Sequence, residues 1–243
     1  KYEYDGWDPA AAWARSLELA ADAEALGFES LWVFDHFTTT PEPRDEITFE
    51  SFTVLGALAH ATRRVRIGHM VICNGFRNPA LTAKMASTLD VISGGRFELG
   101  IGAGWKEDEW RAYGYGFPTL KERMDAFGDA LEVITRMFAP GRATFHGATA
   151  SVQGAINVPK GIQAHLPVIV GGNGENVTFR YAAKLADELN LVFLEPDRIA
   201  ETLPVIRARC EEIGRDPSTL SRFGSSPKYQ EAFGALAALL LDL

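Results

Sequence analysis

The sequence predicts a parallel α/β fold closed into a barrel, and three observations carry that reading. Short apolar runs alternate with stretches of helical periodicity of ten residues or more, which demands parallel strands joined by crossovers. Polar and glycine-rich residues follow nearly every strand, whereas an open doubly wound sheet would concentrate them at one switch point. The 243 residues also suit a barrel of this kind, typically ~250 residues long. Functional residues are then expected at the rim where the strands end.

The elements follow in order. Asp8 and Pro9 supply an N-cap and a first-turn proline, and Trp13, Leu17, Ala20 and Ala21 recur at helical spacing until Gly27. Ser30 to Phe34 is a short strand-like run ending at Asp35-His36, so both polar side chains fall at or just beyond a strand's C-terminal end. Thr38 to Glu46, with two prolines, is a loop longer than a plain connection needs. A helix carrying Phe49, Phe52, Leu55 and Ala59 comes next, then a strand from Val65 to Ile72 that runs into Cys73-Asn74-Gly75-Phe76-Arg77. Asn78 caps the following helix, Pro79 opens it, and Leu81, Met85, Leu89 and Ile92 form its expected buried stripe. Gly94-Gly95 stops it before a strand from Arg96 to Ile101, the fourth of the repeat if one strand precedes Lys1.

Thr119-Leu-Lys-Glu122 is a capping box, and Phe127, Leu131, Ile134 and Phe138 give the helix behind it an apolar face. From about 139 to 166 glycines break the periodicity, and an irregular insertion containing a hairpin is expected. Pro167 to Val170 reads as a strand, followed by Gly171-Gly172-Asn173-Gly174 and a helix with Val177, Tyr181 and Leu185. A strand from Leu189 to Leu194 and a helix marked by Ile199, Leu203, Ile206, Cys210 and Ile213 come next. Ser221 to Pro227 is too short and polar to finish a sheet, and Ala232 to Leu241 reads as a packed helix. No linker divides the chain, so residues 1–243 are expected to form one domain, its barrel incomplete in this chain.

A net charge of -8 argues against nucleic acid or an anionic membrane surface as partner, because both need a cationic face; a small molecule fits better. The longest apolar run has ten residues where a membrane span needs roughly twenty, and no charged leader precedes an apolar segment at the start. Cys73 and Cys210 lie far apart and in no metal-ligand spacing, which suits a reducing cytoplasm. His60, His69, His146 and His165 show no metal spacing either and are taken as structural or surface residues; no metal is expected.

Three motifs bear on chemistry. Gly100-Ile-Gly102-Ala-Gly104 follows a strand, but Trp105 stands where a dinucleotide fingerprint has its third glycine, so that reading fails. What remains is a tight turn, or a turn whose small residues admit a flat cofactor ring; the two are compatible. Gly171 to Gly174 reads either as an anion site of backbone N–H groups at a helix start or as a mere turn. Asp35-His36 is either a capping carboxylate beside a surface histidine, or a proton-handling histidine with an acid to orient it.

Trp32-Val-Phe-Asp-His36, Asn78-Pro-Ala-Leu-Thr-Ala-Lys84, Leu89 through Trp105 and Pro167-Val-Ile-Val-Gly-Gly172 together resemble the luciferase-like flavin and deazaflavin oxidoreductases, over residues 10 to 215. Pro159-Lys-Gly-Ile-Gln163 resembles that family's approach to its phosphate loop. The resemblance implies a (β/α)8 TIM barrel whose rim binds the deazaflavin F420 or FMN, often as a homodimer. It implies hydride transfer between C5 of F420 and a small organic substrate. An FMN-dependent monooxygenase using reduced flavin and O2 is the alternative, and a non-catalytic flavin-binding member the second. Asp35 and His36 match the pair near the ring, with His36 handling a proton or hydrogen-bonding the ring. Met70, Val71, Ile72 and Cys73 match a segment behind the ring that holds a non-proline cis peptide, placed here between Met70 and Val71. Gly102 and Gly104 fall at the rim turn and Gly171, Gly172 and Asn173 at the cofactor phosphate. The aromatic residues near the rim, Phe37, Phe76 and Trp105, are placed as walls of the substrate side, with core packing as the commoner alternative for such side chains. The strand expected before Asp8 and those expected after Leu220 are not recognisable, although a complete member needs both.

Overall fold

A computed structural model describes residues 4–192 and 194–223. The chain forms two compact units, Lys1–Pro167 and Val168–Leu243.

In the first unit α1 (Pro9–Ala25) starts at Asp8, whose carboxylate accepts from Ala10 N and Ala11 N and so satisfies two of the amides a helix start leaves open. Its buried line is Ala12 and Ala20; Trp13 and Leu17 are only half-buried on its flanks, and Ala21 faces out. Strands β1 (Ser30–Val33), β2 (Arg66–His69) and β4 (Phe97–Gly102) pair in parallel, with Leu31 opposite Ile67 and Ile67 opposite Phe97. The expected strand from Val65 to Ile72 is two pieces. A cis peptide bond between Met70 and Val71, at the expected position, separates β2 from β3 (Ile72–Cys73), which pairs with β4 through Ile72 and Ile101.

Helices α2 (Ser51–Ala61) and α3 (Pro79–Ser93) make the crossovers. Asn78 caps α3 as expected, and Gly94 ends it in the left-handed conformation at φ +70°. The expected apolar stripe of α3 holds only in part: Leu89 is buried and Met85 half-buried, but Leu81 and Ile92 are 52% and 45% exposed, while Thr82, Ala83, Ala86, Ser87 and Asp90 are buried. Small side chains let this helix lie close to its neighbours, and its buried polar groups are used. Asp90 Oδ2 accepts from Ile162 N at 2.6 Å and Gln163 N at 2.9 Å, and Oδ1 from Gln163 Nε2 at 2.6 Å. Gly161, at φ +97°, lies so close to this carboxylate that no side chain fits there. One carboxylate thus ties the end of the insertion to α3, and Gln163 Nε2 reaches the sheet at Phe97 O, 2.8 Å away.

After β4 comes a short helix that the periodicity did not reveal, α4 (Glu107–Ala112), and then α5 (Leu120–Phe138). Both bonds of the predicted capping box form at Thr119 and Glu122, and Phe127, Leu131 and Ile134 are fully buried. The insertion holds the expected hairpin, β5 (Ala143–His146) antiparallel to β6 (Ser151–Ala155), tied to α5 where Asp129 accepts from Thr149 N and Oγ1.

In the second unit β7 (Val168–Gly171), β8 (Glu188–Asn190) and β9 (Ser221–Phe223) pair in parallel, with α6 (Thr178–Leu185) and α7 (Pro196–Glu211) between them. The strand β9 corrects the expectation that Ser221 onward is too polar for a sheet. It pairs through its backbone, with Ser221 N donating to Asp187 O, and a backbone ladder does not require apolar alternation. The buried face of α6 is Phe179, Ala182 and Ala183, with Val177 exposed and Leu185 half-buried. In α7 Ile206 and Cys210 are buried as expected, but Ile213 lies past the helix end and is exposed. The expected helix from Ala232 to Leu241 lies outside the described residues.

Two glycine substitutions separate close packing from helix propensity. A side chain at Gly100 would collide with the His69 carbonyl, so Gly100→Ala is expected to lower unfolding free energy by at least ~2 kcal/mol. At Gly56 in α2 an added Cβ meets only Leu89 Cδ2, at 3.9 Å, and Gly56→Ala is expected to gain ~0.5–1 kcal/mol. Urea unfolding of both variants checks the pair; equal effects of one sign would refute this packing.

Candidate active site

Asp35 lies two residues beyond β1 and is buried. Its Oδ1 accepts from Ser51 Oγ at 2.7 Å and Arg77 Nη2 at 2.8 Å, and its Oδ2 from Cys73 N at 3.0 Å and Arg77 Nη1 at 2.6 Å. Those donors come from the first residue of α2, the end of β3 and the turn before α3. Arg77 also reaches Glu50 Oε1 at 2.8 Å. Burial works against the charge of Arg77, but the bonds to Asp35 and Glu50 outweigh it and raise its pKa. Glu50 feels partial burial too, yet the bonds from Thr53, Phe52 and Arg77 bring it down to about 2. Asp35 therefore joins strand and helix ends, and its carboxylate faces Arg77 rather than the neighbouring histidine.

The acid at His36 is Glu109, on α4. His36 Nδ1 lies 2.9 Å from Glu109 Oε2, and the Glu109 side chain is fully buried. Glu109 Oε1 accepts from Phe37 N at 2.5 Å and Thr38 N at 3.0 Å, so the same carboxylate holds the chain just after His36. The ring lies between Phe34, at 5.3 Å, and the edge of Trp105, at 5.8 Å between centroids. Its side chain is 17% exposed, and Nε2 has no partner among the described residues. The sequence signal for Glu109 is an acidic first turn, Glu107-Asp108-Glu109, directly behind the glycines that follow β4.

Cys73 is buried, and burial pushes its thiol up to about 12, which removes it as a nucleophile. A side chain on Gly104 would collide with Cys73 Sγ and press on the Trp110 indole, while Gly102 lies in β4 opposite Cys73. Close packing is thus the visible demand on Gly104, and the Arg123 guanidinium holds its carbonyl. Of the three aromatic residues placed as walls, Phe76 is buried and Phe37 stacks on it at 4.5 Å, both in a cluster with Trp110 and Phe117. Trp105 stands open beside His36 at 64% exposure.

His69 is fully buried, with its ring against Phe52 and Phe97 and neither nitrogen partnered. Burial lowers its pKa to about 3, so it is neutral at ordinary pH.

In the second unit the loop after β7 is partly spent on its own fold. Gly172 N donates to Asn190 O, and the Asn173 amide makes two bonds to the backbone of Val192. A turn over residues 175–177 separates Gly174 from α6, so the loop does not open directly into the helix as expected. Thr178 packs where side chains on Gly172 and Gly174 would lie.

The chain matches the family model for luciferase-like monooxygenases over residues 2–228. It is 31% identical over 208 residues to an F420-dependent glucose-6-phosphate dehydrogenase of Kineococcus radiotolerans, covering 84% of this chain and 60% of that one. Among solved structures it resembles an F420-dependent secondary alcohol dehydrogenase in complex with an F420-acetone adduct. That match has a TM-score of 0.77 and 27% identity, and covers 86% of this chain and 63% of the other. A monooxygenase from Streptomyces bottropensis shares the fold at a TM-score of 0.71 and 24% identity, covering 86% of this chain and 64% of that one. The chain spans between 50% and 63% of the length of the curated relatives it matches.

The neutral His69 fixes one limb of acid stability. Between pH 6.5 and about 3 the unfolded chain takes up a proton at this residue and the folded chain does not, so stability falls on acidification. The expected slope from this residue is up to about 1.4 kcal/mol per pH unit. Glu50 adds its own loss only below 4.5, as pH falls toward about 2. Urea unfolding at pH 6.5 and 4.5 is therefore expected to show a smaller pH dependence in His69→Phe than in the parent protein; an unchanged dependence would contradict the buried neutral ring.

Proposed function

The chain belongs to the luciferase-like monooxygenase family, and we propose that it acts there as an F420-dependent oxidoreductase moving a hydride between C5 of the deazaflavin and a small organic substrate. The observation that carries the proposal is the likeness to an F420-dependent dehydrogenase across 84% of this chain. The residues at the strand ends of the first unit fit a heteroaromatic ring with hydrogen-bonding edges. His36 keeps one ring nitrogen open beside the exposed Trp105, while the charged Asp35, Arg77 and Glu109 are all paired internally. When bound, the deazaflavin supplies the redox chemistry.

The chain's own part is positioning and proton handling. In this reading His36 holds or moves a proton at Nε2, and Asp35 keeps the ends of β1, β3 and α2 together beneath it. The backbone from Met70 through Cys73 backs the ring, with Gly102 and Gly104 at the neighbouring turn. Gly171 to Gly174 is proposed as an anion site; with Gly172 N and the Asn173 side chain committed, the N–H groups of Asn173 and Gly174 would serve it.

A cytoplasmic homodimer acting on a small molecule completes the proposal. The net charge of -8 disfavours polyanionic partners, and Leu81 and Ile92 leave apolar surface on α3 of the kind a second copy covers. Among the described residues no helix is long and apolar enough to cross a membrane.

Binding titrations with F420 and with FMN test the cofactor; tight capture of FMN with no affinity for F420 would overturn the proposal. With cofactor bound, His36→Ala is expected to lower turnover by ~10²–10⁴-fold and to leave cofactor affinity nearly unchanged. Full turnover in that variant would remove His36 from the chemistry.

A further inference from the structure

We propose that Glu109 is a positioning residue that fixes the tautomer of His36, with the proton on Nδ1 and the lone pair of Nε2 turned to the site. The inference rests on the oxidoreductase reading only for its kinetic consequence. Its structural basis is the division of labour within one buried carboxylate. Oε1 is occupied by two backbone donors, Phe37 N and Thr38 N, with Thr38 Oγ1 at 3.4 Å. Oε2 faces His36 Nδ1 at 2.9 Å and has no solvent to turn to, since the side chain is fully buried. A carboxylate oxygen in that position accepts, so the ring is the donor. The opposite tautomer would set a lone pair against a buried carboxylate and leave Oε2 unsatisfied, which costs more than a hydrogen bond gains.

Asp35, next to His36 in sequence, has both oxygens committed to Ser51, Cys73 and Arg77 and does not compete for the ring. By holding the amides of residues 37 and 38, Glu109 also limits the swing of the backbone that carries His36. Nε2 is then the acceptor offered to a substrate hydroxyl proton or to a ring N–H.

Nitrogen-15 spectra of the histidine side chains in the full chain test this without any turnover. His36→Asn identifies the His36 signals. At the neutral-ring limit of a pH series, the expected result is a protonated Nδ1 and an unprotonated Nε2 in the parent protein. In Glu109→Gln the amide oxygen stays with Phe37 N and Thr38 N, the NH2 group faces Nδ1, and the tautomer inverts. With F420 and a turned-over substrate, Glu109→Gln is expected to lower kcat by at least ~10²-fold while KM and cofactor Kd stay within about threefold. A proton on Nε2 in the parent protein overturns the proposal whether or not Glu109→Gln folds, and so does an undiminished kcat in a folded Glu109→Gln. A proton on Nδ1 in a protein inactive with F420 upholds the role of Glu109 and sinks the oxidoreductase reading instead.

Discussion

The bidentate pair between Asp35 and Arg77 is the constraint on which the site of the first unit depends. Removing one partner of such a buried pair leaves an uncompensated charge and costs about 3–5 kcal/mol, although an apolar replacement of both can be neutral. Net stability is therefore a poor explanation for its presence. Geometry is a better one, because the Asp35 carboxylate takes donors from α2, β3 and the turn before α3 at once. An apolar substitute would fill the volume without fixing the angle at which those ends meet.

That arrangement separates two carboxylates by role. Asp35 is fully committed and shapes the floor, so its neighbour in sequence is free to look elsewhere. His36 turns to Glu109, which arrives from a different part of the chain and whose second oxygen is tied to the loop. The same logic of one carboxylate serving several backbone donors recurs away from the site. Asp90 gathers the end of the insertion, and Glu24 accepts from the amides of Arg63, Arg64 and Val65. Bonds to those three amides draw Glu24 down to about 2. Several loops among the described residues are thus fixed by acids that cap runs of amides.

Much of this was legible in the sequence where the signal is local. Asp8, Asn78 and the Thr119–Glu122 box mark helix starts through bonds within three residues, and all three form. The break between Met70 and Val71 followed from a family motif rather than from periodicity. What failed needed three-dimensional knowledge. The stripe on α3 was assigned by hydrophobicity, but a helix that packs closely buries Ala83, Ala86 and Ser87 and leaves Leu81 outside. Strand β9 was missed because its three residues are held by a ladder, which leaves no mark on side-chain pattern. Glu109 was missed because its partner lies 73 positions away and six-residue helices have too few turns to show a period.

The glycines after β4 show how a site residue and a packing residue become confusable. Their spacing first suggests phosphate binding and then room for a flat ring, yet the space beside Gly104 is taken by Cys73 Sγ and the Trp110 indole. Trp110 follows Glu109 directly, so the packing that fills the Gly104 gap also seats α4. A bulkier residue at 104 would push against Trp110 and move the carboxylate that orients His36. The glycine thus acts on the site at a distance, by permitting the helix that carries Glu109 to sit against the strand end. A glycine at a strand end can therefore matter for chemistry without touching a ligand.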